Sequence, residues 1–229
     1  MTHTVHPYAH RLGIIRDWRS RWFAADKKTY RENIVVDNAI RTFLKKKLRA
    51  MHVAEIEIER SASEVRVILH TARPGLVIGR SGEHATKLRK ELTTAVTKVA
   101  SKHGRTVKLD IVEIRQPETS AAVVGMMVVE GLEKRMPFRR VLKQTVEKVM
   151  AVRDVIGVRI VLSGRLGGAD MSRTEQIKRG RIPLQTFRAN IDYAHQEALL
   201  PYGVLGVKVW IYLGDQFSAD NAPANARTK

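Results

Sequence analysis

Between residues 53 and 70 the chain twice reads with a period of two. Ile56 and Ile58 alternate with Glu55, Glu57 and Glu59, and Val65, Val67 and Leu69 alternate with charged or polar neighbours. Successive side chains of a strand point to opposite faces, so Val53–Glu59 and Glu64–His70 are expected as two strands of a half-buried sheet. Helical periods flank them. Before the pair, Val36, Ile40, Phe43, Leu44 and Leu48 fall on one helix face, with Arg41, Lys45 and Arg49 four apart on another. After it, Leu88, Leu92, Ala95, Val96 and Val99 mark an amphipathic helix for which Gly104 is the expected stop. A third strand follows at Thr106–Arg115, with Val107, Leu109 and Ile111 on one side. Residues 31–116 therefore read as one α+β unit.

Pro117 and Glu118 mark a boundary. A second unit, residues 117–214, begins with helices near 119–134 and 138–151, separated by Pro137. Strand texture returns at Val158–Leu162 and Val204–Leu213. Gly164, Gly167, Gly168, Gly180 and Pro183 between them predict short strands and tight turns. Residues 1–30 carry Pro7, Tyr8, Trp18, Trp22, Phe23 and Tyr30 among basic residues without a helix or strand period, and are expected as an extended arm. Residues 215–229 are expected as a frayed tail.

Charge narrows the function. Lys and Arg total 41 against 23 Asp and Glu, a formal net charge of +18. A compact body with that surplus is destabilised by self-repulsion unless an anionic partner neutralises it. The longest apolar run, Ala121 to Val129, is too short to span a bilayer, and the basic residues are spread over most of the chain rather than gathered on one amphipathic helix. Met1–Arg21 has no apolar core for a secretory signal. No membrane partner is expected. Nucleic acid is the anion that fits, and a cytoplasmic setting agrees with the absence of cysteine.

Gly79-Arg80-Ser81-Gly82 is the sharpest local feature. Two glycines permit a tight bend and a close approach by another chain. The start of the next helix offers unpaired N–H donors and a positive dipole end to an anion, and Arg80 adds a cation. Taken alone, G-x-x-G is an ordinary turn or cap. Its setting after an apolar lead-in and before a helix favours the loop that clamps nucleotide backbone in KH modules. A nucleoside-triphosphate loop would need Lys then Ser or Thr, whereas Glu83 and His84 follow here.

Around Pro137, Arg135, Arg139 and Lys143 are four apart with Arg140 beside them, opposite Val141, Leu142, Thr145, Val146 and Val149. The stripe is either a solvated helix face or a set of phosphate contacts. The net +9 over residues 132–190 favours the second. In the arm, Arg11, Arg16, Arg19 and Arg21 interleave with Trp18, Trp22 and Phe23, which suits RNA pairing and stacking or, for Trp22 and Phe23 equally, anchoring of the arm to its own domain. His3, His6 and His10 lie in irregular chain without a nearby carboxylate or thiolate, so no metal and no other cofactor is expected. No nucleophile–base pair is identifiable, and catalysis is not expected.

Taken in order, the blocks Val5-His6-Pro7, Arg11-Leu12-Gly13-Ile14, Trp22-Phe23-Ala24, His70 to Glu83, Phe138-Arg139-Arg140, Ser163 to Ala169, Arg173-Thr174-Glu175 and Tyr202 to Ile211 resemble the bacterial small-subunit ribosomal protein S-three family. A free KH-type regulator would share only the His70 to Glu83 block. The resemblance implies a type II KH domain, a three-stranded sheet with helices on one face, followed by a C-terminal α+β domain of two helices on a mainly antiparallel sheet. It implies a non-enzymatic place in the head of the small subunit, bound to rRNA and near ribosomal proteins S-ten and S-fourteen. It also implies that Arg139, Arg140 and Lys143 line the mRNA entry channel and help unwind structured mRNA. Arg11, Trp22, Arg165 and Arg173, which fall in the matched blocks, and Arg16, which lies between two of them, are expected to bind rRNA. Gly79, Arg80, Ser81 and Gly82 are expected to bind RNA.

Overall fold

A computed structural model describes residues 5–61, 64–99 and 106–217. The expected Gly104 stop, the frayed end from residue 218 and His3 lie outside the described residues. The chain divides into two compact units, one of residues 19–115 and one that joins the first eighteen residues to the chain from residue 116 onward.

In the first unit the elements are strand β1 (Ser20–Arg21), helix α2 (Lys27–Lys47), strands β2 (Val53–Arg60) and β3 (Glu64–Thr71), helices α3 (Pro74–Ile78) and α4 (Glu83–Val99), and strand β4 (Thr106–Glu113); helix α1 (Pro7–His10) precedes them in the chain. β2 and β3 pair antiparallel, and β3 and β4 pair parallel. This is the arrangement expected of a type II KH domain. The two-residue β1 pairs parallel to β2 and makes the sheet four-stranded rather than three-stranded. No alternation could announce so short a strand. Arg41 fixes it by donating to the carbonyl of Ile56, the carbonyl of Arg19 and the hydroxyl of Ser20. Val36, Ile40 and Leu44 of α2 pack with Leu88, Leu92 and Val96 of α4 over Ile58, Val67 and Leu69. The periods of four and of two thus meet in one core.

In the second unit, helices α5 (Ala121–Glu133) and α6 (Phe138–Met150) precede strands β5 (Gly157–Gly164), β6 (Arg173–Gly180), β7 (Ala189–Leu200) and β8 (Gly203–Asp215). The sheet order is β6-β5-β8-β7, antiparallel throughout. β6 and β7 run 8 and 12 residues, longer than the expected short strands. The helix-facing buried positions of β7 are the small Ala194 and Ala198, so the apolar signal there is weak. Gly157 and Gly180 pair across β5 and β6, where a Cβ on Gly157 would stand 2.0 Å from the carbonyl oxygen of Arg181. Only glycine permits that approach.

The arm is not free. α1 is a short helix, and Arg11 just after it is 0% exposed. Its guanidinium donates to the carbonyls of Pro7, Pro183, Leu184, Thr186 and Ala189. His6 packs edge-on against Tyr193, and His10 stacks on Phe187. The segment is held by long-range contacts that no local period encodes.

Candidate nucleic-acid interface

The Gly79–Gly82 turn joins α3 to α4. Gly79 has φ 73°, Ser81 φ 53° and Gly82 φ 76°, three left-handed residues in four. A Cβ at Gly79 would stand 2.5 Å from the His84 ring, so this position requires glycine for its backbone and for its packing. Arg80 and Ser81 are exposed. The turn therefore presents a cation and bent backbone at the head of a 17-residue helix, as the anion-binding reading requires.

In the second unit, Pro137 sits at the N-cap of α6 with φ −56° and starts that helix. Val141, Leu142, Thr145, Val146 and Val149 are buried, and Arg139, Arg140 and Lys143 are exposed on the other side. Arg135 does not belong to that face. It lies in the turn between α5 and α6 with φ 59°, its N–H bonded to the carbonyl of Leu132. The four-residue spacing from Arg135 was a coincidence, because Pro137 ends the helical register.

A groove of about 570 Å³ runs between α6 and β6. Phe138 forms part of its wall, with the guanidiniums of Arg139 and Arg173 lying 5.7 and 5.6 Å from its ring centre. The fold thus brings Arg173 to the stripe across a gap of 34 residues in sequence. Glu147 and Glu175 also line the groove, and Glu175 is 3.9 Å from Arg173. Among the described residues, none of Arg139, Arg140 and Lys143 is in an ion pair.

Several residues expected to bind rRNA are engaged within the protein. Arg11 is a correction: a guanidinium with no exposed surface and five carbonyl acceptors anchors the arm and offers RNA no donor. Arg16 donates to Asn190 at 3.0 Å and lies 3.8 Å from Asp192. Arg165 donates to the carbonyls of Ala169 and Tyr202 and closes the loop after β5. Trp22 donates its indole N–H to Asp37 at 2.8 Å, and Arg60 lies 5.9 Å from its ring centre, so anchoring is the better account of Trp22. Phe23 is 90% exposed and is not so held.

Two structural residues carried no legible signal. Asp37, on α2, receives Trp22 and a buried ion pair from Arg60. Asp192, on β7, accepts the N–H of Ala121 at 2.7 Å and caps α5 in place of Ser120, whose side chain makes no cap bond. Both act across distances that sequence spacing does not report.

The outward face of the KH sheet is tied up in ion pairs. Arg19 meets Glu55 at 2.5 Å, Arg21 meets Glu57 and Glu59, Arg66 meets Asp110, and Lys108 meets Glu64 at 2.8 Å. His70 Nε2 lies 3.5 Å from Glu57, long for a hydrogen bond and within ion-pair range. That contact raises the His70 pKa above 6.5 despite burial, and lowers that of Glu57 below 4.5, with the charge of Arg21 contributing.

Two family descriptions match this chain: KH domain over residues 39–119, and Ribosomal protein S3, C-terminal domain, over residues 128–211. The chain is 49% identical to small ribosomal subunit protein uS3 of Caldicellulosiruptor bescii, covering 94% of this chain and 93% of that one. The chain belongs to the uS3 ribosomal protein family. It is 44% identical to the uS3 proteins of Clostridium perfringens, over 94% of this chain and 93% of that one, and of a Ruegeria species, over 96% and 88%. Membership makes it a structural ribosomal protein with an RNA-binding KH domain, and not an enzyme. No helix among the described residues is long and apolar enough to cross a membrane.

Proposed function

We infer that this protein is built into the head of the small ribosomal subunit in the cytoplasm, binds small-subunit rRNA near ribosomal proteins S-ten and S-fourteen, and lines the mRNA entry channel with α6. The observation that carries the channel reading is the face of Arg139, Arg140 and Lys143: exposed, on one rigid helix, and without ion pairs among the described residues. Cations whose backbone is fixed on a packed helix hold a phosphate backbone without regard to sequence. Such a face grips each incoming single strand and disfavours its re-pairing, so unwinding needs no nucleotide hydrolysis by this chain. Arg173, beside Arg139 on Phe138, extends the face. The Gly79–Gly82 turn is a second RNA contact, made through backbone donors and Arg80.

The test is translation by small subunits carrying R139A, R140A and K143A together. The expected result is slowed passage through a stable mRNA hairpin with unstructured mRNA unaffected. Equal rates on the hairpin would reject the channel reading.

A further inference from the structure

The sheet of the second unit has a face turned away from α5 and α6, and strand register shows what stands on it. Directly paired residues of antiparallel strands share a face. One row across the sheet is Lys178, Arg159, Trp210 and Tyr193, and the next is Gln176, Val161, Lys208 and His195. A third row is Thr174, Ser163, Gly206 and Glu197. Beyond the first row, Ile191 and Tyr212 are covered by Ile182, Leu184 and the chain around them. His6 covers Tyr193 edge-on at the end of the first row, and the rest is open: Lys178, Gln176, Lys208 and His195 are exposed.

Arg159 is held in place by neutral partners. Its Nε and one Nη donate to Gln176 Oε1 at 3.1 and 2.7 Å, and its guanidinium lies 5.0 Å from the Trp210 ring centre. Trp210 is backed in turn by Tyr193, ring centres 5.1 Å apart. Neither neutral partner cancels the charge. Among the described residues Arg159, Lys178 and Lys208 take part in no ion pair, and the one acid in these rows is Glu197, at the far edge. The face therefore combines three uncancelled cations, the exposed His195 ring and a stacked aromatic–guanidinium column, in an order fixed by the sheet.

We propose that this sheet face is a further RNA-binding surface, holding an unpaired stretch of RNA with its phosphates on Lys178 and Lys208 and a base stacked on the Arg159 guanidinium that Trp210 supports. Neighbouring strands are about 4.8 Å apart and alternate residues along a strand about 6.8 Å apart, a spacing that lets these cations meet separate phosphates of one strand. Unpaired bases stack on guanidinium planes as on aromatic rings. The surface lies across the sheet from α6 and does not depend on the channel reading.

The test has two variants and one measurement on the intact particle. Full-length protein is titrated with a fluorescently labelled unstructured RNA of about 12 nucleotides at several salt concentrations, with and without the α6 triple substitution. K178Q with K208Q makes the log–log salt slope shallower by about 1.4 in both backgrounds, the value for two lost single-strand phosphate contacts. R159K keeps the charge and loses the stacking plane, so binding weakens roughly fivefold while the slope holds. In small subunits containing the wild-type chain, ultraviolet light attaches nucleotides to the β8 peptide that carries Trp210. An unchanged slope in K178Q/K208Q, or β5 and β8 peptides without nucleotide adducts, overturns the proposal, and lysine crosslinks from this face to a neighbouring protein without adducts would reassign it to a protein partner. Loss of the α6 effect alone would leave these outcomes intact.

Discussion

The two sheets of this protein treat their cations in opposite ways. On the KH sheet, Arg19, Arg21, Arg66 and Lys108 each meet a carboxylate, and the outward face is close to neutral. In the second unit, the cations are held chiefly by neutral groups. Arg11 has backbone carbonyls, Arg159 has Gln176 and Trp210, and Arg139 has the Phe138 ring. Ion pairs exist there too among the described residues, and none is as short as the closest on the KH sheet: 3.8 Å for Arg16–Asp192, 3.9 Å for Arg173–Glu175, 3.4 Å for Arg165–Asp170 and 3.1 Å for Arg188–Asp215. The lesson is that positive charge in the sequence is not binding capacity. A carboxylate partner cancels the field that draws RNA, whereas a carbonyl, an amide or a ring orients the cation and leaves its charge to act.

The largest effect that would test this contrast comes from a deeply buried pair of the KH unit. Arg60 and Asp37 have side chains 4% and 9% exposed. Arg60→Ala strands a buried carboxylate and is expected to lower stability by about 3–5 kcal/mol in urea unfolding. A loss below 1 kcal/mol would show that water reaches Asp37. Next, Arg11→Ala leaves buried carbonyls unpaired and should cost about 2 kcal/mol. In hydrogen exchange the amides of α1 and of residues 183–189 should open together while β2–β4 stay protected.

A smaller effect separates the sheets by pH. His70 has its folded pKa raised above 6.5, so its contribution is complete below pH 6.5 and is lost as pH rises through the raised value. Glu57 is depressed below 4.5, so its contribution is complete above pH 4.5 and is lost as pH falls through the lowered value. The pair stabilises most between those limits. The difference between wild type and His70→Asn should peak near pH 5.5 at about 0.5–1 kcal/mol and shrink by pH 8, as followed by thermal unfolding. A difference that grows toward pH 8 would contradict the pairing. The smallest effect belongs to the exposed Arg66. Arg66→Gln combined with Asp110→Asn, which removes the pair and keeps the net charge, should leave the melting temperature unchanged and make RNA binding no weaker. Weaker RNA binding by this variant would break the comparison.

Much of the fold was legible because burial imposes a period. β2, β3 and β4 follow from alternation, α2 and α4 from four-residue spacing, and the buried side of α6 from Val141, Leu142, Val146 and Val149. The exposed stripe on α6 was legible as the complement of that buried side. Arg135 was misassigned because spacing alone cannot show that a helix begins only at Pro137. The arm was misread because its anchors are single side chains: Arg11 reaches a carbonyl 178 residues away, and no repeat in sequence marks such a contact.

By itself the sequence determined which segments alternate, which coil, where a glycine turn heads a helix, and that the whole carries a large surplus of positive charge. Only the tertiary structure decided which cations remain available. Arg159, Lys178 and Trp210 come from three strands, and they become neighbours only when antiparallel register sets them in one row. Arg11, equally basic in sequence, disappears under a loop. Periodicity reports how one element meets the core, whereas cancellation and exposure of charge depend on which elements meet one another, and that is fixed only by the packed fold.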